Sequence, residues 1–139
     1  MDPDEAEMFI EAQDGVWKDV QSELEAGKKT THWMWFVFPQ LAALGQSDMS
    51  QLFGLHDLEE ARDYLEEPTL GPRLIEMSKL LLTHDEKSAE EILGAVDAMK
   101  LRSSMTLFRE VPGADGVFGD VLEAFFGGKP CERTLAELG

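Results

Sequence analysis

The chain has 139 residues, 43% of them hydrophobic, and a formal net charge of −16. That is the length of one ordinary domain, with enough apolar mass for a core and too much for a disordered acidic chain. The acidity speaks against generic nucleic-acid binding through a basic surface, and no apolar run reaches the roughly 18–20 residues that cross a bilayer.

The first residues, "MDPDEAEMF", are acidic where a signal peptide would be basic and then apolar. "DGVWKDVQSELEAGKK" places Trp17, Val20 and Leu24 at i, i+3 and i+7, an amphipathic stripe that Gly27 can stop. Next comes "KKTTHWMWFVFPQ", residues 28–40, with two tryptophans and two phenylalanines in six positions. Six consecutive apolar residues, 33–38, cannot all face one way on a short element, so some line a groove, meet a partner, or are buried on several sides. "FVFP" alone has strand-like composition, and nothing offers it a partner strand. "SDMSQLFG" is a short helix between a Ser47 cap and Gly54. "DLEEARDYLEEP" has capping-box spacing from Asp57 to Glu60 and ends before Pro68. "LGPRLIEMSKLLLTH" carries Pro72 in its first turn, where a missing N–H costs nothing. "SAEEILG" repeats the capping box from Ser88 to Glu91 and closes on Gly94. "DAMKLRSSMTLFREVP" can be capped by Asp97 and stops near Pro112; "DGVFGDVLEAFFGG" and "ERTLAEL" follow. The expectation is one all-α domain over residues 1–139, built of seven to nine short helices. The lone Cys131 makes no intramolecular disulfide and supplies no cysteine-based metal site, so a reducing cytoplasm is the expected location.

Charge is spread unevenly. Residues 28–56 hold Lys28 and Lys29 against Asp48 alone, and residues 98–109 hold Lys100, Arg102 and Arg109 with no acid. Both segments interrupt long acidic stretches. The G-x-G-x-x-G, Walker, G-x-S-x-G and H-E-x-x-H signatures are absent, and His32, His56 and His84 each lack a second histidine at metal-ligand spacing. No metal and no cofactor is expected.

His32, between lysines and Trp33, is the candidate general acid or base; the alternative is a histidine that hydrogen-bonds a helix end. In "KLRSSMTLF", Leu101, Met105 and Phe108 have core spacing, while Lys100, Ser103 and Ser104 share another face. An ammonium beside hydroxyls suits a phosphate or carboxylate, or a Ser–Lys nucleophile pair; the alternative is hydroxyls bonded to their own helix carbonyls. The sequence therefore suggests a pocket for a small anionic aromatic ligand such as a nucleotide derivative. Trp33 and Trp35 would stack on its ring. Lys28, Lys29, Arg73, Lys100 and Arg102 would neutralise its charge, and Gln40, Ser103, Ser104 and Thr106 would hydrogen-bond it. If the chain is an enzyme, hydrolysis or glycosidic cleavage is the expected reaction. The competing expectation is a protein-interaction module or homo-oligomer with residues 33–38 as its interface. A third is that the aromatics are simply core. Whether residues 28–40 and 100–106 line one cavity decides between them.

"HWMWFVFPQL", "LGPRL" and "KLRSSMTLF", with "FIEAQ" near the start and "FFGGKPCERTLAEL" at the end, resemble the signature segments of the DUF1810 family, small bacterial proteins of unknown function. The resemblance runs nearly end to end. It implies an all-helical single domain and carries no activity with it. His56 stands where the family has a small residue, and Cys131 where an aspartate is common.

Overall fold

Short polar residues ahead of apolar runs set several of the helix starts. In the computed structural model, which describes residues 1–139, Asp2 accepts the Glu5 N–H at 2.8 Å and opens α1 (Pro3–Asp14). α2 (Trp17–Ala26) stops at Gly27, whose φ of 74° only glycine adopts without strain. α3 (Met34–Val37), a 3-10 turn (Ala42–Leu44) and α4 (Asp48–Leu52), capped by Ser47, follow. α5 (Leu58–Glu66) is capped by Asp57, and α6 (Leu70–Leu82) carries Pro72 in its first turn. α7 (Ala89–Leu93) has the complete capping box between Ser88 and Glu91. α8 (Ala95–Arg109), α9 (Val117–Phe126) and α10 (Glu132–Leu138) complete the chain.

There are ten α-helices where seven to nine were expected. One addition is α1, in an acidic stretch that Asp2 and Pro3 initiate. The other is α3, one turn within the run whose composition looked strand-like. The only strand-like contact is a single parallel bridge between Leu41 and Leu55. Asp97 does not cap α8. Gly94, at φ 88°, turns the chain straight from α7 into a helix that begins at Ala95, which frees the Asp97 carboxylate for another partner.

The helices share one core of 28 buried hydrophobic residues, including Phe9, Trp33, Tyr64, Phe108 and Phe118. α8 packs against α5, α7, α9 and α10, and α6 packs against α2, α5 and α9. Residues 103–108 of α8 are all buried, because this stretch has neighbours on every side. Two of its hydroxyls turn inward on the helix itself: Ser103 Oγ donates to the Met99 carbonyl at 3.2 Å and Thr106 Oγ1 to the Arg102 carbonyl at 2.8 Å. Between α1 and α3, Gln13 Nε2 donates to the Phe36 carbonyl at 2.7 Å, pinning the end of the aromatic run.

Candidate functional site

One carboxylate organises the loop that leads into α3. Glu23 faces inward from α2 and is 8% exposed. Its Oε1 accepts the N–H groups of Thr30 at 2.6 Å and Thr31 at 2.9 Å and the Trp33 indole N–H at 3.1 Å; its Oε2 accepts the Thr31 hydroxyl at 2.6 Å. Burial by itself would raise the pKa of this group. The hydrogen bonds from Thr31, Thr30 and Trp33 outweigh that and hold the carboxyl at about 2. The carboxyl end of α2 is secured as well: His84 Nε2 hydrogen-bonds the Leu24 carbonyl at 2.8 Å, and Lys87 Nζ donates to the Gly27 carbonyl at 3.2 Å. His84 thus serves a helix end.

The second organising group is Asp97. Its Oδ2 lies 2.8 Å from Lys29 Nζ, and its Oδ1 lies 3.7 Å from Lys100 Nζ. The Lys29 side chain is 7% exposed, and its ammonium stands 5.2 Å from the Trp33 ring. The Lys100 ammonium stands 5.2 Å from the Trp35 ring, within cation–π range, and the exposed His32 imidazole lies 6.5 Å from the same indole at 33°. The two acid-poor segments therefore meet, Trp35 from α3 against Lys100 from α8.

Their meeting point is small. Met34, Trp35, Phe38, Gln40, Phe53 and Lys100 contribute to a cleft of about 10 Å³, room for roughly one water molecule. Gly54 forms another wall, where the chain presses on the 3-10 turn so closely that a Cβ would lie 2.5 Å from Ala42 Cα. Surface depressions of 240 to 350 Å³ exist elsewhere, lined by other residues.

Several residues expected at the site sit apart from it. Arg73 bonds Asp14 at 2.7 Å and Gln13 at 3.3 Å and covers the Trp17 ring, joining α6 to α1 and α2. Arg102 donates to the Lys129 carbonyl at 2.9 Å, Thr106 Oγ1 accepts the Cys131 N–H at 2.8 Å, and Ser103 Oγ lies 3.4 Å from Cys131 Sγ. These three tie residues 129–131 onto α8. Ser104 is wholly buried and its hydroxyl has no partner. Trp33 is core, at 0% exposure. What converges is Lys29, His32, Trp35, Gln40 and Lys100, with Lys28 exposed at the start of the loop. Residues 33, 34 and 36–38 are each 6% exposed or less, so an interface made of the whole run is unavailable and only Trp35 reaches the surface.

Glu23 was not singled out from the sequence, and Asp97 was read only as a helix cap. Glu23 carried a signal, since it lies three residues after Val20 and beside Leu24, on the inward stripe of α2. Asp97 carried a weaker one, three residues before Lys100.

Ten helices around one core, with no helix long and apolar enough to cross a membrane, define an all-helical globular domain. The family described as "Protein of unknown function (DUF1810)" matches residues 3–138, and the chain belongs to that family. It is also similar to the conserved hypothetical protein Rv1873 from Mycobacterium tuberculosis. The two are 45% identical, with a TM-score of 0.95, over 99% of this chain and 98% of that one. Comparison with curated proteins gives no match.

Proposed function

We propose that this chain is a cytoplasmic binding protein whose Trp35–Lys100 face holds a small planar anion, of the nucleotide type. The observation that carries this reading is an incompletely buried indole with a poorly paired ammonium beside it, in a chain of net charge −16. The nearest carboxylate to Lys100 Nζ is at 3.7 Å, beyond hydrogen-bond range, so its donors are open to a ligand. Lys29, by contrast, is committed to Asp97 at 2.8 Å. Stacking on Trp35 is worth about 1–3 kcal/mol, and an ammonium–anion hydrogen bond adds roughly 1.5–3 kcal/mol. A water-sized cleft admits one ligand oxygen and leaves the ring on the surface, which favours modest affinity. His32 is the candidate acid or base for hydrolysis or glycosidic cleavage; its exposure supports binding better than catalysis.

A thermal-shift and calorimetric panel of AMP, ADP-ribose, sugar phosphates and dicarboxylates tests this. At least one member raises Tm in the wild type and loses that effect in Trp35→Leu and Lys100→Gln. A panel without a single shift refutes the reading. Interaction with another protein is the second reading, favoured by the exposure of Val96 (68%) and Met99 (73%) next to Lys100. A self-association form of it predicts a mass that rises with concentration in light scattering.

A further inference from the structure

α8 is the most enclosed helix of the fold over residues 103–108, yet its first turns present two large apolar side chains to solvent. Val96, Met99 and Lys100 fall at i, i+3 and i+4, which places them on one stripe. Val96 is 68% exposed and Met99 is 73% exposed; Leu52 is the one other large hydrophobic side chain so exposed. Lys100 continues the stripe onto the Trp35 ring and the cleft that Gln40 also lines. We infer that this stripe is a docking face for a short segment of a protein partner in which one or two carboxylates stand among large apolar side chains. The inference rests on the reading of the Trp35–Lys100 face as a binding site, and it names the partner class.

Shape admits a peptide segment beside the planar anion: the cleft holds about 10 Å³, so it encloses no ligand and contact is made along the surface. That space takes one carboxylate oxygen between Gln40 and Lys100 and no ring. Val96 and Met99 lie outside it, where only a chain running along α8 reaches them together with Lys100. Methionine, flexible and polarisable, suits such an adaptable surface.

Charge selects the same occupant. Residues 98–109 contain no acid, and of the two ammonium groups beside Asp97, Lys29 is held at 2.8 Å while Lys100 stands off at 3.7 Å. A carboxylate that reaches Lys100 meets donors that Asp97, at 3.7 Å, leaves unfilled. The molecule as a whole is acidic. Two copies at −16 each repel over their whole surfaces, so a second copy is disfavoured and a partner segment with few carboxylates is selected.

The test uses fluorescent synthetic peptides of about eight residues in four compositions: acidic–apolar, basic–apolar, neutral–apolar, and acidic with serine for the apolar residues. They are titrated with the full chain, with Lys100→Gln and with a Val96→Ser, Met99→Ser double variant; AMP is titrated in parallel, and circular dichroism verifies folding. Val96 and Met99 are exposed and the Lys100 side chain is partly so, and the variants are expected to fold. The acidic–apolar peptides bind best, and each variant weakens them at least tenfold. Equal binding of basic or neutral peptides overturns the inference, as does a double variant with unchanged affinity. A dimer that the double variant dissociates also overturns it, in favour of a second copy. If AMP binds through Trp35 and Lys100 while no peptide does, this inference falls and the proposed function stands; if neither binds, both fall.

Discussion

Replacing Glu23 removes the group on which the loop 28–33 hangs. In Glu23→Gln the amide oxygen can take the place of Oε1 and keep its three N–H donors, while the amide nitrogen faces the Thr31 hydroxyl, which rotates to accept. Only the charge is lost. A fall in pKa from 4.5 to about 2 means the native site prefers the ionised form by about 3 kcal/mol, and that sets the scale for Gln. Glu23→Ala also orphans the buried indole N–H of Trp33, which adds roughly 1–3 kcal/mol. Urea unfolding followed by circular dichroism at pH 7 measures both variants, Ala costing more than Gln. The pH dependence has a fixed sign. Because the folded pKa is depressed, the contribution of Glu23 is complete above about pH 4.5 and is lost as pH falls toward 2. Wild type and Glu23→Gln therefore differ at pH 7 and converge across that window. Equal stability at pH 7, or a gap that persists undiminished at pH 2, refutes the reasoning.

The tryptophans separate by burial. Trp33→Ala costs about 3–5 kcal/mol in the same assay, whereas Trp35→Ala, at a partly exposed position, costs roughly half as much or less. Removing Asp97 leaves the nearly buried Lys29 ammonium without its carboxylate, so Asp97→Ala destabilises by about 2 kcal/mol, and a double-mutant cycle with Lys29→Ala shows a favourable coupling. Cys131 occupies the N-cap of α10 without a side-chain cap bond to the backbone, so Cys131→Asp raises stability by about 0.5–1 kcal/mol.

The local grammar of the fold was legible. Caps at Ser47, Asp57 and Ser88 and the stop at Gly27 act within a few residues of themselves, so a single sequence displays them. α3 escaped because a one-turn helix of aromatic and β-branched residues has strand composition, and only burial on all sides fixes its conformation. The hydroxyls of "KLRSSMTLF" looked like one open helical face, but the stretch is enclosed: those of Ser103 and Thr106 serve the helix and residues 129–131, and that of Ser104 is buried without a partner. Asp97 illustrates a long-range limit: its main partner, Lys29, is distant in sequence, and no spacing rule connects them. The meeting of Trp35 with Lys100 is of the same kind. Their segments stood out by charge and composition, and only the packing of α8 against the loop brings them together.

The three tryptophans offer a direct test of the binding face, since each indole N–H gives its own nuclear magnetic resonance signal. Titration with AMP, the simplest planar anion of the panel, is predicted to move the Trp35 signal in a saturable way. Trp17, beneath Arg73, and Trp33, bonded to Glu23, stay in place. Lys100→Gln abolishes the movement. Signals that all remain unmoved at millimolar AMP, or a response at Trp17 without one at Trp35, contradict the assignment of this face.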